Sequence, residues 1–373
     1  MIFKKLGNTS SEVSAIGFGC GIGGSNAATA DYSGLGDSLK KSLDLGVNFV
    51  DTSPVYGNGE SEKIVGGTIS YLANRGEVMV GTKVAPGQTN YAGILHSVEV
   101  SLRRLKVECI DLYQIHWPNP AIPIAETVAA MEELVAQGKI KNFGVSNFSM
   151  SEIVEVRESL KNNSLTSVQA EYNFCERSIE NDVLPFCQKN NITLIAYTPL
   201  MRGRMAGNKA QVELLQRMAL EYDATIAQII LSWIVKNTGV IVLSNTKNLV
   251  RVEENFSSAE VNLSESDYET ISAACVPPIE RIDTKLILDS SDDGETGYRS
   301  AEEALRNCLG WTPSPQELGE QMLRGEFLKP VRLFKDSSSE KVRLRLLEGK
   351  LRYWAWVTAF GWDRKIPSII WED

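Results

Sequence analysis

Short apolar runs alternate with longer amphipathic stretches from Val13 to about Leu243. The runs of strand length are SAIGFG, VNFVDT, VMVGTKV, IDLYQIH, IKNFGVSN, SVQAEY, ITLIAYTPL and GVIVLSN. Between them, stretches such as YAGILHSVEVSLRRLK and AETVAAMEELVAQGK place apolar residues three and four positions apart, which is typical of amphipathic helices. Because parallel strands need such crossover helices, eight strand and helix units over about 250 residues predict a closed (β/α)8 barrel.

Polar side chains follow several of these runs, at the strand ends where the active site of such a barrel is built. They are Asp51, Lys83, His116, Ser146, Asn147 and Gln169. Each of them alone is equally well explained as a strand-end cap or as a satisfied buried polar group. Their occurrence together predicts a functional site.

Four residues match the roles that reduction of a carbonyl requires. Tyr56 is a weak acid at neutral pH unless a nearby cation stabilises its phenolate, and Lys83 supplies such a cation. Asp51 would hold the ammonium by pairing with it. A neutral His116 would donate to the carbonyl oxygen and orient it. The sequence therefore predicts general acid/base chemistry centred on Tyr56.

The segments that carry these residues resemble the aldo-keto reductase family over about residues 1–275. They are GVNFVDTSPVYGNGESEKIVG, GTK, DLYQIHWP, GKIKNFGVSNFS, QAEYNFCERSIE and AYTPLMRGRM. The resemblance implies a TIM barrel that binds a nicotinamide cofactor without a Rossmann domain. It implies that Ser146, Asn147 and Gln169 hold the nicotinamide carboxamide, that Tyr197 stacks on the ring, and that Leu200 and Gly203 border the pyrophosphate. The reaction it implies is hydride transfer to a carbonyl, or from an alcohol.

The segment SNTKNLVRVEENF bears on the choice of cofactor. Thr246, Arg251, Glu254 and Asn255 match the family pattern around the 2'-phosphate of NADP, whereas Asn245 stands where the family has lysine. Two explanations stay open: Lys247 substitutes for that lysine, or the grip on the phosphate is weaker. The pattern favours NADP(H) over NAD(H).

A glycine pattern that matches the dinucleotide fingerprint GxGxxG occurs in GCGIGG, from Gly19 to Gly24. The polar segment SNAATADYS follows it instead of an apolar helix, so a Rossmann reading is disfavoured. The glycines are better explained by a tight turn at the barrel mouth. The small, polar segment GGSNAATADYSG after the first strand leaves open a sugar-like or another polar carbonyl substrate. Trp117 is either a wall of the pocket or a packing residue.

Composition excludes several classes of partner. The 373 residues carry a net charge of −9, which disfavours general nucleic-acid binding. No window holds the roughly 18 apolar residues of a membrane helix, and no apolar segment follows the N-terminal lysines as in a signal peptide. The six cysteines include no CxxC pair, which predicts reduced thiols and no metal site. A cytoplasmic protein with a small-molecule substrate is expected, of undetermined oligomeric state.

The barrel pattern stops near residue 276, and Pro277 and Pro278 indicate a linker into a second domain. ERIDTKLIL, LKPVRLFKD, KVRLRLLEG and IPSIIWED have the pattern of strands, and SAEEALRNCLG and SPQELGEQMLRGE that of helices. KLRYWAWVTAFG is a further helix, with Leu351, Trp354, Ala355 and Thr358 on one face. The predicted domains are 1–276, the barrel, and 280–373, a small α+β domain.

The order of these elements resembles the ParB/sulfiredoxin-like fold. The resemblance rests on Gly349 and Arg352 in EGKLRYWAW and on the terminal IPSII. It implies a nucleotide phosphate at the helix start, where free N–H groups and an arginine are suited to an anion. Glu348 beside them is either a base or a group that repels phosphate. Two alternatives stay open, a turn whose tryptophans only fill a core and a docking site for a partner.

Two classes of function follow. The leading one is an NADP-dependent aldo-keto reductase with an accessory domain. The alternative is a barrel that senses redox state or serves as a scaffold, with a C-terminal domain that binds ATP or CTP for phosphoryl transfer or regulation. The presence of all four residues, Asp51, Tyr56, Lys83 and His116, favours the enzyme, because a site that had lost its activity would have no need of a buried ion pair.

Overall fold

The structure is a computed structural model of the chain. It describes residues 1–22, 31–72, 75–203, 209–274, 280–288, 298, 300–308, 313–324, 331–336, 343–362 and 364–372. The described residues form two compact units, one from residues 1–205 and 215–271 and the other from residues 206–214 and 272–373. Gly23, Gly24, Pro277 and Pro278, which figure in the predicted turn and linker, lie outside the described residues.

The first unit contains a closed barrel of eight parallel strands, as the apolar runs predict. An N-terminal hairpin, β1 (Phe3–Lys5) and β2 (Glu12–Ser14), precedes it. The barrel strands are β3 (Ile16–Gly19), β4 (Phe49–Asp51), β5 (Met79–Val84), β6 (Ile110–Ile115), β7 (Ile140–Ser146), β8 (Ser167–Glu171), β9 (Thr193–Tyr197) and β10 (Val240–Ser244). Each pairs with the next, and β10 pairs with β3 to close the barrel.

Among the described residues up to 274, one α-helix follows each barrel strand from β3 to β8, two lie between β9 and β10, and two follow β10. These helices are α1 (Leu35–Asp44), α2 (Glu60–Ile69), α3 (Tyr91–Leu105), α4 (Ile124–Ala136), α5 (Met150–Ser159), α6 (Val183–Lys189), α7 (Lys209–Glu221), α8 (Ile226–Lys236), α9 (Leu249–Ser257) and α10 (Glu265–Ala274). Local chemistry fixes several starts: Ser149 with Glu152 and Thr225 with Gln228 form capping boxes at α5 and α8. These caps fix the residues at which α5 and α8 begin.

The hairpin covers the amino-terminal end of the barrel. Leu6 and Val13 pack with inward-facing strand residues, among them Phe49, Leu112 and Ile195, in one buried cluster. Lys4 donates to the carbonyl oxygens of three residues near the end of α8 and the start of β10. This end of the barrel is therefore filled, and the chemistry is left to the carboxyl ends of the strands.

The second unit has a mixed five-stranded sheet in the order β11, β15, β13, β14, β12. Its elements are β11 (Glu280–Asp283), β12 (Ile287–Leu288), α11 (Ala301–Leu305), α12 (Pro315–Leu323), β13 (Val331–Asp336), β14 (Arg343–Glu348), α13 (Lys350–Phe360) and β15 (Lys365–Glu372). The predicted single strand ERIDTKLIL is interrupted by a 3-10 turn at Thr284–Leu286. The Asp283 side chain accepts from the Lys285 amide at 3.0 Å and so favours the turn over a continuous strand.

Helix α13 buries more than the one face that the sequence predicts. Tyr353, Trp354 and Val357 pack into the core on the sheet side, while Ala355 packs against α12. An added Cβ at Gly319 of α12 would lie 3.0 Å from the Ala355 carbonyl oxygen, which shows how closely the two helices approach. The sheet and α12 therefore cover α13 on two sides.

Within the described part of the chain, no single helix has the length and apolarity needed to cross a membrane. One bent pair of helices, α7 with α8, passes that test only when its two members are counted together, by length and composition alone.

Candidate active site

A buried ion pair lies at the carboxyl ends of β4 and β5. The Lys83 ammonium donates to Asp51 Oδ2 at 2.5 Å and to the Thr52 carbonyl oxygen at 3.0 Å, and both charged side chains are shielded from solvent. The other Asp51 oxygen accepts from the amide nitrogens of Gln114 at 2.9 Å and Gln169 at 3.0 Å. Each charge is thus surrounded by groups of the opposite polarity, as a buried pair requires.

Strand register brings these side chains together. Asp51 pairs with Gly81 across β4 and β5, Lys83 with Gln114 across β5 and β6, and Ser146 with Gln169 across β7 and β8. Because alternate residues of a strand face the same side, Lys83 points into the barrel two positions after Gly81. The alternation of side chains along each strand and the parallel register are together sufficient to bring these side chains to one place.

Tyr56 follows β4 in a 3-10 turn, Tyr56–Gly59, and its ring lies over the ion pair. The Lys83 ammonium is 5.3 Å from the centre of the Tyr56 ring, and the His116 ring packs edge-on at 5.8 Å between centroids. The four residues singled out in the sequence therefore form one cluster.

The cluster shifts the acidity of its members in opposite directions. Burial raises the pKa of Tyr56, and the neighbouring Lys83 ammonium works against that rise by stabilising the phenolate. Burial by itself would lower the pKa of Lys83, but the Asp51 carboxylate and the Tyr56 phenolate outweigh it, so the net pKa is raised. Lys83 is consequently a permanent cation near a phenol that holds its proton at neutral pH.

His116 is neutral in this environment. Burial, with a smaller effect of the Lys83 charge, lowers the pKa of His116 to about 3. Its Nδ1 lies 3.1 Å from the Ser53 hydroxyl, which fixes the orientation of the ring. Ser53 was not predicted from the sequence, although its position two residues after Asp51 on an active-site loop is a usable signal.

The three residues predicted to hold the carboxamide form hydrogen bonds with each other or with the ion pair. Asn147, in a left-handed conformation with φ 63, donates to the His116 carbonyl oxygen at 3.0 Å and to the Ser146 hydroxyl at 3.0 Å. Tyr197 donates to Asn147 Oδ1 at 2.7 Å. The Gln169 amide nitrogen is directed at Asp51, so this residue also orients the ion pair.

A cavity of about 980 Å³ opens beside the cluster. Every residue predicted to contact the cofactor lines it: Ser146, Asn147, Gln169, Tyr197, Leu200, Gly203, Thr246, Arg251, Glu254 and Asn255. Tyr56, His116 and Trp117 line the same cavity, so it is continuous with the acid/base cluster. The first turn of α8, from Thr225 to Ala227, also lines it and was not predicted, because its motif is an ordinary capping box.

Lys247 and Asn245 have partners across the cavity rim. The Lys247 ammonium lies 2.7 Å from Asp31 Oδ2, and the Asn245 amide donates to the Gly21 carbonyl oxygen at 3.3 Å. Arg251 lies on α9 and lines the cavity. In the described ranges there is no group of three or more histidine, cysteine or acidic side chains placed to hold a metal ion.

A closed (β/α)8 barrel with a cluster of titratable side chains and a large cavity at the carboxyl ends of its strands has the architecture and the site position of the TIM-barrel enzymes. Comparison with known proteins makes the class specific: residues 15–275 match the aldo/keto reductase family, and the chain belongs to that family. The predicted resemblance of the barrel is thereby confirmed.

Relatives and solved structures agree with this assignment. The chain is 38% identical over 220 residues to the aldo-keto reductase YhdN of Bacillus subtilis, with 57% of this chain and 66% of that protein covered. It is 32% identical over 312 residues to an NADH-specific methylglyoxal reductase of Escherichia coli, with 70% and 94% covered. The structure resembles an aldo/keto reductase of Klebsiella pneumoniae in complex with NADP and acetate, with a TM-score of 0.65, 31% identity, and 74% and 96% of the two chains covered.

Proposed function

We propose that the chain reduces a small polar carbonyl compound with a nicotinamide cofactor, with Tyr56 as the general acid. The observation that carries this proposal is the cluster in which a buried, permanently charged Lys83 lies against the Tyr56 ring and a neutral His116 faces it. A reduced nicotinamide supplies the hydride when bound. The alcohol product needs one proton in addition, and a phenol beside a lysine is suited to give it.

Each residue of the cluster has one task in the proposed reaction. The Tyr56 hydroxyl gives its proton to the carbonyl oxygen as the hydride reaches the carbon. Lys83 stabilises the phenolate that remains, and Asp51 keeps Lys83 charged and in place. His116 orients the carbonyl oxygen by donating from Nε2 while Nδ1 is directed at Ser53. In alcohol oxidation the phenolate takes the proton back.

The chemistry of the cavity supports binding of the cofactor. Amide groups of Asn147 and Gln169 are complementary to a carboxamide, and the Arg251 guanidinium on the cavity wall is complementary to a phosphate. We propose that Ser146 and Tyr197 contact the nicotinamide, that Leu200 and Gly203 border the pyrophosphate, and that the side chains at the start of α9 meet the adenosine end. We favour NADP(H) over NAD(H) on the strength of Arg251 on the cavity wall. The relatives do not decide between the two, since one holds NADP and another is NADH-specific.

For the substrate we propose a small polar carbonyl of the size of a short 2-oxoaldehyde or an open-chain sugar. Support comes from the polar segment after β3 and from the Escherichia coli relative, which is a methylglyoxal reductase. Trp117, about half exposed at the cavity mouth, offers an apolar wall on one side.

Tyr56→Phe tests the proposed function. Reduction of methylglyoxal with NADPH should fall by about 10² or more, because a general acid contributes roughly 10²–10⁴ to the rate. Cofactor affinity, measured by quenching of protein fluorescence, should be retained. Tyr113→Phe is the matched control, since it removes a buried hydroxyl of strand β6 that has no partner among the described residues. Equal turnover in the Tyr56 variant and in wild type would refute the assignment.

For residues 280–373 we propose the ParB/sulfiredoxin-like assignment and a division from a barrel domain of residues 1–276. Gly349, the N-cap of α13, is in the left-handed region with φ 95, and Arg352 Nε and Nη2 lie 3.0 Å from the position of an added Cβ there. This pairing of a glycine with an arginine at a helix start is what supports phosphate binding in the alternative function. The Glu348 side chain lies outside what the structure describes.

Calorimetric titration of the full chain with ATP and CTP tests that alternative. Heat of binding that is lost in Arg352→Gln and kept in Arg345→Gln, an exposed arginine of β14, would favour nucleotide binding by this unit. Absence of heat with both nucleotides would reject it and leave the barrel as the functional part.

A further inference from the structure

The segment that carries Tyr56 has an unusual backbone. Gly57, Asn58 and Gly59 follow it in the left-handed region, with φ 58, 52 and 86, before α2 begins at Glu60. A residue with a side chain, Asn58, adopts this region at a cost, and such conformations persist only where the surroundings hold them. The position of the Tyr56 hydroxyl thus depends on what fixes the start of α2.

Two side chains in the first turn of α2 bond to the strands beneath. Ser61 Oγ lies 2.7 Å from Thr52 Oγ1, and Glu62 Oε1 accepts from Thr82 Oγ1 at 2.7 Å. Thr52 is adjacent in the chain to Asp51, and Thr82 is adjacent to Lys83. The helix that follows Tyr56 is therefore bonded to the two strands that carry the ion pair.

Arg104 of α3 completes this connection from the outer layer. Its Nη1 lies 3.1 Å from Glu62 Oε2, and Glu62 is fully buried. A Cβ added to Gly59 would lie 2.3 Å from Arg104 Cζ and 2.4 Å from Nη1, so the guanidinium plane lies directly against the Gly59 backbone. An added Cβ at Gly66 would lie 2.4 Å from the Arg104 carbonyl oxygen, which shows that α2 and α3 are closely packed.

The electrostatics make the pair rigid. A carboxylate without solvent contact needs a cation and hydrogen bonds, and Glu62 has both in Arg104 and Thr82. Because the guanidinium is a planar fork, its contact with Gly59 and its bond to Glu62 fix each other. Without the cation, the Glu62 carboxylate is stable only in contact with water. We expect its movement toward solvent to draw the first turn of α2 away from β5.

We infer that Glu62 and Arg104 are positioning residues for Tyr56, which hold the Tyr56–Gly59 turn so that the phenol stays over Lys83. The inference rests on the proposed function of Tyr56. Neither residue is among those that line the cavity, so their effect on turnover is exerted through the turn and through Thr82 and Thr52.

Arg104→Met tests the inference, with Lys141→Met as the matched control. Lys141 pairs at 2.7 Å with the buried carboxylate of Asp111 on β6, so its loss also leaves a buried acid without its cation. In Arg104→Met, kcat for methylglyoxal reduction should fall by about 10–100-fold, since a misplacement of about 1 Å costs roughly 10²-fold. The KM for NADPH should change little, and Lys141→Met should keep kcat within about twofold of wild type.

The pH dependence of kcat for alcohol oxidation distinguishes a positioning role from a loss of stability, because a loss of stability alone does not change it. If Tyr56 shifts away from Lys83, its phenolate loses a stabilising charge. The ascending limb of the kcat profile, which reports formation of the phenolate base, should then move to higher pH in Arg104→Met. Arg104→Lys, which restores the charge without the planar fork, should recover part of kcat. If Arg104→Met does not fold, Thr82→Val removes the hydrogen bond to Glu62 at nearly constant volume and should show the same shift to a smaller degree.

Hydrogen exchange separates this inference from the proposed function. Amides of residues 56–59 should exchange at least about tenfold faster in Arg104→Met than in Lys141→Met, whatever the turnover. Unchanged exchange at these residues, or a kcat and pH profile equal to those of the control, would overturn the inference. An inactive wild type would count against the proposed function, and the exchange comparison would still decide the role of Arg104.

Discussion

Lys83 Nζ lies 2.5 Å from Asp51 Oδ2, with both side chains excluded from solvent. Removal of one partner of such a pair leaves an uncompensated buried charge, whereas removal of both does not. We expect Lys83→Met to lower the free energy of unfolding by about 3–5 kcal/mol. The double variant Asp51→Asn with Lys83→Met should lose clearly less than the sum of the single variants, as measured by urea unfolding.

The exposed pair of Lys139 and Glu99 is the control for this cycle. Their charged atoms lie 2.5 Å apart with both side chains about one-third exposed or more. An exposed pair contributes about 0–1 kcal/mol, so Lys139→Met should be nearly neutral. Additive losses at Asp51 and Lys83 would show that the two charges are solvated independently, against the buried geometry.

Burial of neutral His116 predicts acid sensitivity. The unfolded chain protonates this histidine near its ordinary pKa of 6.5, whereas the folded chain resists protonation down to a pKa of about 3. The unfolded state therefore binds more protons between these values, and stability falls as pH decreases from about 6.5 toward 3. This group contributes a slope of up to about 1.4 kcal/mol per pH unit.

His116→Gln should remove that contribution. Its stability relative to wild type should increase steadily as pH decreases from 6.5 to 4, in urea unfolding at each pH. His96, the other histidine of the chain, is exposed on α3, and His96→Gln is the control. A constant difference between His116→Gln and wild type over this range would contradict a buried neutral imidazole.

Asp31 and Arg251 are expected to act in opposite directions on cofactor selectivity. Asp31 Oδ2 forms an ion pair with Lys247 Nζ at 2.7 Å, and it brings a negative charge to the cavity rim. Asp31→Asn should free Lys247 and increase the affinity for NADPH relative to NADH. Arg251→Ala should lower NADPH affinity by about tenfold, the loss of roughly one charge-assisted hydrogen bond, with little change for NADH.

Fluorescence titration with each cofactor measures the ratio of the NADPH affinity to the NADH affinity. Lys40→Ala, on the exposed side of α1, is the control for a general loss of positive charge. If both variants changed NADPH and NADH affinity equally, neither Arg251 nor Lys247 would meet the 2'-phosphate, and the proposed preference for NADP(H) would fail.

Two glycines of the same region should respond oppositely to alanine. Gly59 has φ 86 and lies against Arg104, so Gly59→Ala brings both backbone strain and a steric clash. We expect it to destabilise by more than about 1 kcal/mol. Gly67 lies inside α2 with nothing within 4 Å of an added Cβ, so Gly67→Ala should stabilise by about 0.5–1 kcal/mol. Thermal unfolding of both variants checks the pair, and a stabilised Gly59→Ala would show that the turn is not held in this conformation.

The periodic pattern of apolar residues in the sequence was sufficient to predict the barrel. Eight apolar runs at βα spacing have few other solutions, and the strands appear where those runs occur. The strand-end rule also located Asp51, Lys83 and His116, because a parallel register directs such residues to one end. Tyr56 came from chemical reasoning about the role of Lys83 rather than from periodicity.

Contacts between distant parts of the chain were decided by the tertiary structure. Three such contacts join Gln169 to Asp51, Lys247 to Asp31 and Arg104 to Gly59, and these residues are 118, 216 and 45 positions apart. A hydrogen bond has no periodic signature along the chain, since it depends on where two elements meet. Local propensity and alternation determined which elements form and which faces they bury; packing of those faces determined which polar groups meet, and hence which charges are neutralised inside the barrel.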